Sequence, residues 1–409
     1  MNKNIEMTNR GFSIHGSESR EVQTFSLVVG GPFFRLLCFL KICDQDLGFL
    51  KRRLFFFMLL SWLPLLIFSV FEGKALSGAV SVPFLYDFEA HLRFLVAIPL
   101  FLTAEIVVHQ RLQPLVQEFI SRGLVPTQLR GKFQAAILSS FRLQSSFVPE
   151  LCILVLVYAI GILLIWNQFI SLDVANWYST PAGERSRLSI AGFWYVFVSV
   201  PIFQFLMLRW LFRILLWWKF LLHMARINLS LMPAHPDRCG GLGFLAQTPA
   251  VFAVLAIAHT SVVAGQIANR IFYLDAQLLD FKVEITLAIG YLMILFLLPV
   301  LFFMMQLAQA KRNGLREYGM LAQKYVQQFD IKWLSSVSGN HTKLMGSTDI
   351  QSLADLSNGY EPIRTMRLVP ITNDVVITLL IAMLIPIFPL LLTMMPVEDL
   401  LAKLFTLFF

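Results

Sequence analysis

Seven stretches of this chain are each about as long as a bilayer is thick and carry almost no charge, and that property restricts the fold more than any motif does. They are Leu54–Phe71, Leu92–Val108, Phe147–Trp166, Leu188–Leu208, Val251–Ile267, Ile285–Leu307 and Val375–Met395. A helix rises about 1.5 Å per residue, so roughly 20 apolar residues cross a hydrocarbon core of about 30 Å. Inside lipid each segment must satisfy its own backbone N–H and C=O groups, which favours helices. Composition agrees: of 409 residues 57% are hydrophobic and only 14% charged, where soluble domains run near 45–50% and about 25%. The expected fold is all-α, a polytopic transmembrane bundle of about seven spans. The fifth is the weakest, diluted by His259, Thr260, Ser261 and Gln266.

The 33 lysines and arginines give the orientation. Counted by segment they run 8, 2, 5, 2, 5, 2, 8 and 1 from head to tail, with Arg93 assigned to the edge of the first loop. Alternate segments therefore hold 26 and 7. Basic residues resist translocation, so the N-terminus is expected inside and the C-terminus outside. The parts are then a cytoplasmic head (1–53), a six-span region (54–307), a cytoplasmic loop (308–374) and a last span with a short outer tail (375–409). The polar stretch ahead of the first apolar run does not read as a signal peptide, so none is expected. Four cysteines show no disulfide spacing.

The second span reads VAIPLF around Pro99 and the fourth VSVPIF around Pro201, with a looser LLPVLF around Pro299. The spacing suggests three tandem hairpins plus a lone helix. Chance recurrence of proline, common in membrane helices, is the competing account. Pro386 and Pro389 are expected to bend the last span.

The head segment GGPFFRLLCFLKI (Gly30–Ile42) suits a helix lying at the headgroup level. Beyond the fourth span, Arg209, Arg213, Lys219, His223 and Arg226 fall on one helical arc with Trp210, Trp217 and Trp218 outside it. That pattern points to anionic headgroups at the inner surface. It lacks any companion pattern for nucleic acid. In the sixth loop Leu315, Tyr318, Ala322, Tyr325 and Phe329 recur at helical spacing, so the sixth span is expected to run on as an amphipathic helix. Thr348 with Gln351 and Asp349 reads as a helix start, Glu361-Pro362 as another, and Pro370 as a stop. The loop can form a helical hairpin and bind protein partners.

Four stretches, GGPFFRL, HPDRCGGLGFL, STDIQSLADL and PVEDLLAKLF, resemble segments of a family of uncharacterised bacterial multi-spanning inner-membrane proteins. The resemblance implies a bacterial inner membrane. It implies no activity, cofactor or catalytic residue.

Candidate sites are few. The turn LMPAHPDRCGGLGFL (Leu231–Leu245) gathers His235, Asp237, Arg238, Cys239, Gly240 and Gly241. His235, Asp237 and Cys239 do not match zinc spacing, and no lysine makes a phosphate loop of the glycines. His235, Asp237, Arg238, Gly240 and Gly241 can still touch a headgroup or anion. The plainer expectation is a rigid turn, with Asp237 capping nearby N–H groups and the glycines taking positive φ. Within the spans Glu105, His259 and Gln266 are polar candidates, since such residues face protein or water and often mark a pathway. Glu105 is also placed to reach the interface. No GxSxG, HExxH, metal or cofactor motif is found. The sequence favours a membrane scaffold or interaction protein. The alternatives are a transporter or channel using the kinked spans with His259 and Glu105, and a membrane enzyme acting on lipid.

Overall fold

A computed structural model describes residues 26–394 apart from 45–46, 77, 79, 172–175, 183–184 and 335–347. The protein is a helical bundle. Its first helix, α1 (Pro32–Phe39), starts with proline at a first-turn position, where the missing N–H costs no bond. Five helices are long and apolar enough to cross a bilayer: α2 (Leu50–Phe71), α3 (Phe88–Ser121), α6 (Ile190–Ala225), α7 (Gly243–Tyr273) and α8 (Leu278–Leu301). Between them, α4 (Arg130–Ser145) and α5 (Phe147–Ser171) meet at a bend of 48°. A small antiparallel hairpin, β1 (Ser179–Ala182) with β2 (Arg185–Leu188), links α5 to α6.

The last expected span departs from expectation. Helix α11 (Asn373–Leu384) has 12 residues and stops before Pro386, and a 3-10 turn over Phe388–Thr393 follows. Twelve residues rise only about 18 Å, short of the ~30 Å core. Proline at 386 and 389 ends the helix rather than bending it, because each removes a donor and crowds the preceding turn. The PVEDLLAKLF segment lies outside the described residues.

The sixth span does not run straight on. It breaks at Phe302–Phe303, just past Pro299, and α9 (Met304–Trp333) begins anew. Helix α10 (Thr348–Arg364) packs back on α9, with the Tyr325 hydroxyl donating to the Asp349 carbonyl. Lys332 pairs with the Asp349 side chain. The expected hairpin is therefore present, but Pro362 sits inside α10 and starts no new helix.

The end of the bundle where α2 begins is termed the head end, and the other the far end. At the head end Phe119, Phe133, Phe220, Phe244 and Phe303 form an aromatic core. Gln306 donates to the Ala225 and Ile227 carbonyls, satisfying the C-terminus of α6.

Two of the three proline-centred spans share more than a sequence pattern. In α3 the chain is π-helical over Leu92–Ala97 and regains α geometry around Pro99; in α6 the same change runs over Tyr195–Ser199 before Pro201. Each helix is capped by a side chain three residues ahead of its bonded N–H, Asp87 to Ala90 and Ser189 to Gly192. The same offset of 102 that relates the prolines relates these caps. A proline cannot donate to the carbonyl four residues earlier, and a π turn lets the helix absorb that loss. For Pro201 the freed Phe197 carbonyl accepts from the Tyr158 hydroxyl at 3.3 Å. Pro299 has no such turn; it lies two residues from the end of its helix.

Candidate functional site: a far-end cavity above a buried ion network

Residues at that offset also touch each other. Arg93 Nη1 donates to the Tyr195 hydroxyl at 2.6 Å, and the Phe101 and Phe203 rings lie 6.0 Å apart. In this way α3 and α6 face one another through equivalent positions, and a cavity of about 1080 Å³ opens beside that contact. Its walls come from α3, α6, α7 and α8 and from the loop before β1. Gly265 lets α7 approach closely, since a Cβ there would stand 3.0 Å from the Glu89 Cα.

The rim carries most of the charge. Glu89 accepts from Arg93 and from Gln266. Asp87 accepts from Ala90 N, Trp177 Nε1 and Asn269 Nδ2, so its carboxylate is saturated with donors. Deeper in, Gln204 and His259 line the cavity with Phe101 and Phe203. His259 Nδ1 stands 2.7 Å from the Leu255 carbonyl, which can only accept; Nδ1 therefore carries a proton, and Nε2 is the nitrogen left for a second contact. Among the described residues, Arg93 Nε and Gln204 Oε1 are buried without a hydrogen-bond partner. Orphaned polar atoms in a buried wall are costly unless a bound molecule or a movement completes them.

Glu105 lies one turn past Phe101 on α3, about 6 Å further toward the head end. It does not reach an interface, as sequence position allowed; it is 3% exposed and enclosed by three guanidinium groups. Arg53 Nη1 approaches to 2.5 Å, Arg213 Nη1 to 2.8 Å and Arg209 Nη1 to 3.2 Å. Arg209 also pairs with Glu150 at 3.2 Å, and Glu150 accepts from the Phe33 N–H. Arg213 and Arg53 reach the carbonyls of Val28 and Leu47 in the head segment. Five charges thus join the head, α2, α3, α5 and α6.

This corrects the reading of the basic arc as a surface at two of its five positions, Arg209 and Arg213; Arg226 is exposed. Arg209 and Arg213 are four apart and share a helical face, but that face points at Glu105. Trp210 and Trp217 are buried as well. The signal was present in the sequence: Glu105 and Glu150 inside apolar spans require partners, and Arg53, Arg209 and Arg213 stand just beyond the span limits drawn from hydropathy.

The turn behaves as a rigid structural element. Asp237 accepts from the N–H groups of Cys239, Gly241 and Gly243. Burial opposes the Asp237 carboxylate, but those three donors and nearby His235 outweigh it and hold the carboxyl below its ordinary value. Gly240 and Gly241 have φ of 64° and 97°. Arg238 also takes positive φ, and its carbonyl accepts from Arg367 N at 2.7 Å, tying the turn to the segment after α10. Among the described residues no three His, Cys, Asp or Glu side chains gather as metal ligands.

Neither protein-family models, curated proteins nor solved structures give a match to this chain.

Proposed function

We propose that this chain is a solute-binding membrane protein of the transporter or channel class, seated in a bacterial inner membrane with its N-terminus inside. The observation that carries the reading is the far-end cavity descending to His259 and closed beneath by the Glu105 ion network. By the lysine and arginine count the cavity opens outward, so the arrangement corresponds to an outward-facing state with an inner lock. The floor offers Gln204 and His259 among aromatic rings, which suits a small solute whose leading part is uncharged and able to donate a hydrogen bond. Release inward requires the head segment and the three arginines to part from Glu105. Two discrete states of that kind are what alternating access needs.

A single cysteine placed at Gln204, in a variant otherwise free of cysteine, tests the reading without knowledge of the solute. A membrane-impermeant maleimide is expected to label it from outside intact cells. Proteoliposome uptake of glycerol and glycine supplies the second arm, with His259→Ala plus Gln204→Ala expected to abolish any flux above empty vesicles. No labelling from either side, together with flux indifferent to the double variant, defeats the proposal.

One observation favours a scaffold role alongside. Met320, Leu321, Val326 and Ile331 stand exposed along α9. A protein partner held by the α9–α10 hairpin is expected to be lost on deletion of residues 339–366.

A further inference from the structure

A second cavity, of about 570 Å³, lies on the flank of the bundle between α1, α5 and α6. Its lining is apolar except for Glu150 and the Tyr158 hydroxyl, both of which already have partners. Phe147, Leu151, Leu154 and Phe197 are all exposed, so the groove opens sideways, toward whatever surrounds the spans. From Phe147 to Tyr158 the lining follows α5 for eleven residue steps, about 16 Å of rise. That is roughly half of a ~30 Å hydrocarbon core, the depth of one leaflet.

The head end of the groove has a different character. Helix α5 begins at Phe147, so the positive end of its dipole lies there. Arg35 of α1 is held at the same place, donating to the Ser145 carbonyl at 3.2 Å with its charge exposed. An apolar slot one leaflet deep, with an exposed guanidinium beside its head end, matches the chemistry of a membrane phospholipid. We propose that a phospholipid seats one acyl chain along Leu151, Leu154 and Phe197 with its phosphate beside Arg35. Phe33 and Leu36 of α1 close over the chain and couple the lipid to the head segment that touches Arg213 and Glu150. Occupancy there depends only on the protein lying in a bilayer, not on the solute cavity.

Native mass spectrometry of the full chain, exchanged into detergent and titrated with phosphatidylglycerol, tests this. The wild type is expected to hold one phospholipid more tightly than the rest. Leu154→Trp fills the groove and is expected to lose that lipid, whereas Leu156→Trp, exposed on the same helix but off the groove, is expected to keep it. Arg35→Gln should weaken retention about twofold to fivefold, the range for one exposed charge contact. A phospholipid with a photoreactive chain end, used on the wild type, is expected to crosslink to residues 151–158 or 197–206 and to be competed by plain phosphatidylglycerol. Retention unchanged by Leu154→Trp, or crosslinks spread evenly over the spans, overturns the site. Loss with Leu154→Trp but no effect of Arg35→Gln overturns the phosphate assignment.

Discussion

Glu105→Gln removes one charge and no volume, and the structure sets the size of its effect. Three guanidinium groups lie within 3.2 Å of this carboxylate, and the side chains of Arg53, Arg209 and Arg213 are each at most 5% exposed. Two carboxylates against three guanidiniums leave the network at +1; the substitution leaves it at +2 with the same burial. Removing one partner of a buried ion pair costs about 3–5 kcal/mol, because the other charge stays desolvated. A loss in that range is therefore expected. Glu150→Gln should cost less, about 1–3 kcal/mol, since Glu150 has one arginine and one backbone N–H. Replacing charge and counter-charge together should recover part of the loss, so Glu105→Gln with Arg213→Met is expected to cost at least about 1 kcal/mol less than the two changes summed. Reversible unfolding in mixed micelles, read by tryptophan fluorescence, supplies the four corners of the cycle. A Glu105→Gln cost below about 1 kcal/mol, or a cycle that adds without coupling, would falsify the claim of a desolvated lock.

Other perturbations test the remaining geometry. Asp237→Ala leaves three backbone donors without an acceptor and is expected to cost about 1–3 kcal/mol. The Asp237 carboxyl lies below its unfolded value near 3.9, so its stabilisation is complete above that pH and fades as pH falls through the folded value; in Asp237→Asn, acid unfolding curves should lose that component. Gly192→Ala drives a Cβ into the Tyr178 carbonyl at the cavity rim and is expected to destabilise by about 1–3 kcal/mol, measured by the same unfolding assay. Gly314→Ala meets Pro233 of the turn and should loosen α9 from it, visible as faster proteolysis of the α9–α10 hairpin with the spans intact.

The membrane class was legible in hydropathy, and the turn at Asp237 was legible in local chemistry. Both depend on residues near one another in the chain: a run of apolar side chains specifies a span, and an aspartate followed by glycines specifies its own hydrogen bonds. The proline-centred repeat was half legible. The spacing of Pro99 and Pro201 pointed to it, but the shared π turns and side-chain caps belong to backbone geometry, and the looser LLPVLF around Pro299 has no such turn. The break in the last apolar run was not legible, because window hydropathy averages across Pro386 and Pro389, whereas a helix must make each bond in turn.

The charged network needed the tertiary structure. Arg53 and Arg213 flank different spans 160 residues apart, and each alone reads as an interfacial cation. Only when α2, α3 and α6 are packed do both point at Glu105, and only then does a basic helix face become the inside of a bundle. The cavity is likewise a property of four helices together, with Arg93, Gln204 and His259 brought to one space from three of them. What the chain alone settles is solvent: which segments must leave water, and that they do so as helices. Which charges those helices hide between them is settled by assembly, because the cost of burying a charge is met by a partner that hydropathy cannot see.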